Sequence, residues 1–212
     1  VTLTHAIGVG CGAIIRMIVR GLALSRIHPN VLTFLGLVIN IWAAALLAKG
    51  QFRAAGLVII GAGLFDMVDG RVARETNRVT RFGAFFDSVL DRYSDLALLI
   101  GLLVWYGSIN RAGYVVLTAV AMTACVMISY TRARAENLIP SCKVGFLERP
   151  ERVVLVIIGA LFDRMAPVLW VISVLGTITV IHRMIFTWQE ARHLENAQLR
   201  PAGARAVTNL QR

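Results

Sequence analysis

Residues Phe82–Gly107 read FGAFFDSVLDRYSDLALLIGLLVWYG, and this stretch decides the fold. From Leu96 onward it is an uncharged apolar run, while its first half carries Asp87, Asp91 and Asp95 at intervals of four. Residues four apart lie on one face of an α-helix. The whole stretch is long enough to cross a bilayer, which takes roughly 20 helical residues. A carboxylate is costly inside a membrane, so a span that keeps a stripe of them marks a site.

The rest of the chain agrees with a membrane reading. Hydrophobic residues make up 57% of the 212 residues and charged residues 16%, against about 45–50% and about 25% in soluble domains. Mean hydropathy is +0.69. This apolar content excludes a disordered chain, and three cysteines (Cys11, Cys125, Cys142) do not make a disulfide scaffold. A net charge of +10 suits a nucleic-acid binder, but long uncharged runs do not. The fold class is therefore all-α: a polytopic membrane protein of six transmembrane helices. The spans read as Val31–Ala48, Phe52–Ala73, Phe82–Gly107, Ala112–Tyr130, Arg152–Pro167 and Val168–Trp188. They form one domain over 31–188.

Residues 1–30 interleave Ile14, Ile15, Ile18, Val19 and Leu22 with Arg16, Arg20 and Arg26. That is the pattern of an interfacial amphipathic helix rather than a signal peptide. Residues 189–212 turn polar and read as a helical extension and tail. Basic residues orient the spans: 17 of the 22 Lys and Arg fall on one side, four (Lys49, Arg53, Arg111, Arg164) on the other, and Arg92 within a span. The positive-inside rule then puts both termini in the cytoplasm of a cell-membrane protein.

A second pair of acids, Asp66 and Asp69, lies three apart on the second span. Asp66 comes 14 residues after Phe52, about 21 Å along the helix, and Asp87 about 8 Å into the third span. Antiparallel neighbours would bring the four carboxylates to one level near the cytoplasmic side. Carboxylates so crowded raise their pKa values or bind cations. Oxygen ligands suit Mg2+ or Mn2+, and two divalent ions balance four charges. Helix-end acids paired with Arg74, Arg78, Arg81 and Arg92 are the plain alternative, but exposed pairs do not explain two facing stripes. A cation transporter would also collect aspartates. Its path would be opposed by Arg71, Arg74, Arg78 and Arg81, which suit phosphate instead.

Asp66-x-x-Asp69-Gly70-x-x-Ala73-Arg74, then eight residues, then Gly83-x-x-x-Asp87-x-x-x-Asp91 resembles the signature of the CDP-alcohol phosphotransferase family. The resemblance implies transfer of a phosphoalcohol group from a CDP-linked donor to an acceptor hydroxyl, with release of CMP, in a homodimer. It implies metal ligation by Asp66, Asp69, Asp87 and Asp91, with Asp91 as the general base. Donor contacts then fall on Asp69, Gly70, Ala73, Arg74 and Gly83. Pro29-Asn30-x-x-Thr33 resembles the family's helix start beside the cytidine, which would add Asn30 and Thr33; an ordinary helix entry reads equally well. Asp95 lies outside the motif, as an extension of the polar stripe or a partner of Arg92.

Arg132, Arg152 and Arg183 fall near the cytoplasmic ends of three further spans, where guanidinium groups grip a phosphate dianion well. For Arg134 and Arg149 the positive-inside rule reads at least as well as a role at the phosphate. Arg183 sits in an apolar run, where a charge needs a reason. These segments resemble the prokaryotic phosphatidylinositol-phosphate synthases, whose donor is CDP-diacylglycerol, whose acceptor is inositol 1-phosphate, and in which three basic residues bind the acceptor phosphate. The subfamily carries lysine where this chain has Arg132, which keeps glycerol 3-phosphate, and so a phosphatidylglycerophosphate synthase, as the alternative. His5, His28, His182 and His193 show no metal spacing and read as solvated or helix-end residues. Trp42, Trp105, Trp170 and Trp188 read as an interfacial belt, and Gly61, Gly63 and Gly159 as packing positions.

Overall fold

The computed structural model describes residues 29–75 and 80–210, with side chains described for 30–66 and 80–196. The interfacial helix expected over 1–30 lies almost wholly outside them. The described residues are all-helical, in six helices. They are α1 (Pro29–Ala48), α2 (Phe52–Glu75), α3 (Arg81–Ser108), α4 (Ala112–Ala135), α5 (Arg149–Leu161) and α6 (Met165–Leu210). Among the described residues, three stretches are long and apolar enough to cross a membrane: Asn30–Ala48, Ala112–Ala135 and Met165–Asn196.

Helix α1 holds the first half together by packing on both α2 and α3. Among the described residues, α1 thus stands against both of the helices that carry the aspartates. Close approach explains it: a Cβ on Gly101 would run into the Ala44 carbonyl, so α3 lies directly on the α1 backbone. Small residues permit such contact, which is the main source of helix association in lipid. Ala43, Ala44 and Leu47 of α1 meet Ala55 and Ile59 of α2 and Leu98, Leu99 and Leu102 of α3 in one core. At its far end α1 stops at Gly50, φ 72°, where a side chain would enter the Trp105 indole. Trp105 also meets Phe52 edge-on, with centroids 5.6 Å apart. It is thus a packing residue rather than a member of an interfacial belt, unlike the exposed Trp42, Trp170 and Trp188.

The second half is built on α6, which packs along α4 and against α5. Gly176 and Gly159 admit these neighbours: a Cβ on Gly176 would crowd Ala124, and one on Gly159 would crowd Val168. Gly61 and Gly63 have nothing within 4 Å and are not packing positions among the described residues.

Helix α5 is only 13 residues, ending at Leu161 rather than at Pro167. The chain turns at Phe162–Arg164, with Asp163 at φ 59°, and α6 opens at Met165. Pro167 falls in the first turn of α6, where a missing N–H costs nothing. The backbone of α6 stays helical through the polar segment to Leu210.

Candidate active site

The charged residues gather at the end of the bundle where α2 finishes and α3 and α5 begin. Helix α3 is capped by Thr80, whose hydroxyl accepts from the Gly83 amide at 2.9 Å. A Cβ on Gly83 would stand 2.9 Å from that hydroxyl and 3.3 Å from Asn30 Oδ1. The starts of α1 and α3 therefore meet at two of the expected donor-binding residues, Asn30 and Gly83. Thr33, a third, is buried one turn along α1. Farther along α1, a Cβ on Gly36 would lie 3.1 Å from Asp66 Oδ1.

The carboxylates converge on an arginine that the sequence reading treated as topology. Arg149 Nη2 lies 2.8 Å from Asp66 Oδ2 and 3.0 Å from Asp91 Oδ1, and its Nε faces Asp95 Oδ1 at 3.7 Å. Asp87 lies within electrostatic range of Asp66, Arg149 and Arg92. Acids from α2 and α3 thus reach one point, as their spacing implies. Asp69, Gly70, Ala73 and Arg74 lie on the α2 backbone, but their side chains are outside the described residues. Among the described residues, no three His, Cys, Asp or Glu side chains are set to hold a metal.

Asp95 has a different occupation. Its Oδ2 pairs with Arg152 Nη2 at 2.6 Å, with side chains only 10% and 5% exposed. Arg152 also donates from Nη1 to the Leu147 carbonyl at 3.4 Å. Arg92, the partner expected for Asp95, instead donates to the Ser88 carbonyl and hydroxyl one turn back. A buried charge needs both an opposite charge and hydrogen bonds, and Asp95 supplies them to Arg152.

A second cluster lies on the other side of the α5 entry. Arg183, 2% exposed, donates from Nη1 to the Ile128 carbonyl at 2.5 Å and from Nε to the Val144 carbonyl at 2.8 Å. Its Nη2 reaches Glu148 Oε1 at 3.4 Å. Arg132 Nη1 reaches the same oxygen at 3.3 Å, while its Nε holds Glu136 at 3.1 Å. Of the three arginines expected at the acceptor phosphate, Arg132 and Arg183 therefore share one oxygen of Glu148, and Arg152 is engaged by Asp95.

The segment leading into α5 is strapped to α6. The Phe146 amide donates to Thr179 Oγ1 at 3.3 Å, and the Phe146 ring stacks on His182. Gly145, at φ 131°, lets the backbone pass where a Cβ would meet Thr179 Cγ2 at 2.6 Å. His182 is a packed residue, with Nδ1 buried, rather than a solvated one. Cys142 is likewise buried, against Ala135 and Ile139.

The architecture is shared with known proteins. The CDP-alcohol phosphatidyltransferase family model matches residues 26–189. The archaetidylinositol phosphate synthase of Methanothermobacter thermautotrophicus is 36% identical over 169 residues, covering 76% of this chain and 83% of that protein. The crystal structure of Mycobacterium tuberculosis phosphatidylinositol phosphate synthase with CDP-DAG bound superposes with a TM-score of 0.78 at 34% identity. It covers 83% of this chain and 94% of that one. The same mycobacterial enzyme in complex with manganese and citrate gives a TM-score of 0.74 at 34% identity, covering 81% and 87%. With a family model matched over most of its length, this chain belongs to the CDP-alcohol phosphatidyltransferase family.

Proposed function

We propose that the chain transfers the phosphatidyl group of CDP-diacylglycerol to a hydroxyl of inositol 1-phosphate, giving phosphatidylinositol phosphate and CMP. A bond forms between the acceptor oxygen and the lipid-side phosphorus, and the bond from that phosphorus to CMP breaks. The reading is supported by relatives that are inositol-phosphate synthases. The observation that carries it is the meeting of an acid-rich cluster and an arginine pair at one end of the bundle.

Asp66, Asp69, Asp87 and Asp91 would hold two divalent ions, Mg2+ or Mn2+. The donor set fits, since Asp66 and Asp91 come from different helices and already share one cationic nitrogen of Arg149. Divalent ions bound there would neutralise the diphosphate of the donor. Asp91 takes the proton of the acceptor hydroxyl, which requires it to face the acceptor side of the site. Asn30, Thr33, Asp69, Gly70, Ala73, Arg74 and Gly83 line the donor side. Arg132, Arg152 and Arg183 receive the acceptor's phosphate. Forked guanidinium groups favour a dianion over a neutral hydroxyl compound.

All six helices would traverse the cell membrane, with both termini and the site facing the cytoplasm, and two copies would form a homodimer. Helices α2 and α3, at 24 and 28 residues, are long enough to span. Helix α5, at 13 residues, rises only about 20 Å and is the shortest of the six.

The test is CMP release by purified protein in detergent with CDP-diacylglycerol and magnesium, offering inositol 1-phosphate, glycerol 3-phosphate and free inositol separately. Release with inositol 1-phosphate alone, abolished by a chelator, is expected. Release with glycerol 3-phosphate instead overturns the acceptor assignment. No release with any acceptor overturns the donor assignment.

A further inference from the structure

We propose that Glu148 is a resident counter-ion of the acceptor site: its carboxylate oxygen occupies the position between Arg132 and Arg183 that a phosphate oxygen of the acceptor takes over. The inference deepens the proposed function and rests on its reading of these two arginines.

Three observations carry it. A single oxygen, Glu148 Oε1, serves both arginines, at 3.3 Å from Arg132 Nη1 and 3.4 Å from Arg183 Nη2. Both distances are long for charge-assisted hydrogen bonds, which run about 2.7–2.9 Å. The bond of each arginine to Glu148 is therefore its loosest.

Each arginine is also fixed without Glu148. Arg183 is held by the Ile128 and Val144 carbonyls at 2.5 and 2.8 Å, and Arg132 by Glu136 at 3.1 Å. Removing the Glu148 oxygen thus exposes two aimed N–H groups rather than releasing two mobile side chains.

The exposures point the same way. Arg183 is 2% exposed while the Glu148 side chain is 43% exposed. The buried partner cannot leave, and the carboxylate can swing into water. Glu148 precedes the first residue of α5 in extended backbone, with no side-chain hydrogen bond to the helix start. Its displacement therefore costs the helix no cap.

A dianion outcompetes a single carboxylate for two guanidinium groups, since it brings more charge and more acceptor oxygens. A neutral polyol does not. Glu148 thereby sets a threshold that only a charged acceptor passes, and keeps a buried arginine neutralised between turnovers.

The experiment compares wild type and Glu148→Gln in detergent, reading acceptor KM, kcat and direct calorimetric binding of inositol 1-phosphate and inorganic phosphate. Glutamine keeps the size and hydrogen-bonding reach but removes the competing charge. Binding of both probes is expected to tighten about tenfold, with acceptor KM falling in parallel and the KM for CDP-diacylglycerol unchanged. Glu148→Asp keeps the charge but reaches one arginine less well, and is expected to fall between the two.

Unchanged or weaker phosphate binding in Glu148→Gln, with wild type binding both probes, overturns the counter-ion role alone. Binding of neither probe by wild type overturns the acceptor site and this inference together. Should Glu148→Gln fail to purify as a folded protein, Glu148→Asp decides, because tighter binding is expected there also and weaker binding overturns the proposal.

Discussion

Two charged clusters flank the start of α5, each built from arginines and carboxylates. On one side a single guanidinium, Arg149, faces Asp66, Asp91 and Asp95. On the other a single carboxylate oxygen of Glu148 faces Arg132 and Arg183. Glu148 and Arg149 are adjacent in sequence, and each turns into the cluster of opposite sign. The acid-rich cluster keeps an excess of negative charge, while Arg132 and Arg183 are balanced by Glu136 and the more loosely held Glu148. The first is suited to cations and the second to an anion, and one junction supplies a partial counter-ion to both. Partial neutralisation lets unlike sites fold side by side in a weakly polar bundle, where uncompensated charge would be expensive.

The largest expected effect separates chemistry from charge balance in the acid-rich cluster. Asp91→Asn removes the proposed base while keeping a side chain of the same size. Turnover is expected to fall by at least about a thousandfold, general-base and metal contributions being lost together. CDP-diacylglycerol should still bind, and the melting temperature should change little. Rate measurements alongside nucleotide binding check it, and normal turnover would remove Asp91 from the chemistry.

Asp95 lies one turn farther along the same stripe and sharpens the contrast. Its main partner is the nearly buried Arg152, so its charge serves the fold. Breaking one side of a buried pair leaves the other uncompensated, at a cost of about 3 kcal/mol or more. Asp95→Asn is therefore expected to lower the melting temperature in detergent clearly, where Asp91→Asn does not. Equal melting temperatures for the two variants would mean that the stripe does not divide this way.

Much of this was legible before the structure, and the failures have a common cause. Spacing at three and four residues fixes which side chains share a helix face, so the approach of Asp66 and Asp91 followed from sequence. The position of Arg183 in an apolar run likewise marked it as purposeful, and it is among the largest fully buried side chains described. Spacing does not say what a face meets. Arg149 was indistinguishable from the many arginines that topology alone supplies, although its i,i+3 relation to Arg152 places both on one side of α5 and was the available signal. The Asp95–Arg152 pair spans 57 residues of sequence, and no local pattern announces it. Glycines divide for the same reason: Gly159 packs as expected, whereas Gly61 and Gly63 have nothing within 4 Å among the described residues, and Gly101 and Gly176 carry contacts that spacing does not mark.

The smallest expected effect tests whether Arg149 does for the acids what Glu148 does for the arginines. Its Nη2 lies within 3.0 Å of oxygens on both Asp66 and Asp91, so Arg149 and a divalent ion compete for the same donors. Arg149→Gln removes that competitor and leaves the carboxylates in place. Mn2+ affinity, read by electron paramagnetic resonance of the unbound ion, is expected to tighten severalfold. Lost competition from one partly exposed charge is worth on the order of 1 kcal/mol. The gain should shrink as salt is raised, since a partly exposed pair is screened. Weaker Mn2+ binding would mean that Arg149 holds the carboxylates in position for the ion instead of competing with it. In that case the two clusters would differ in kind, with a displaceable counter-ion on the arginine side and a structural one on the aspartate side.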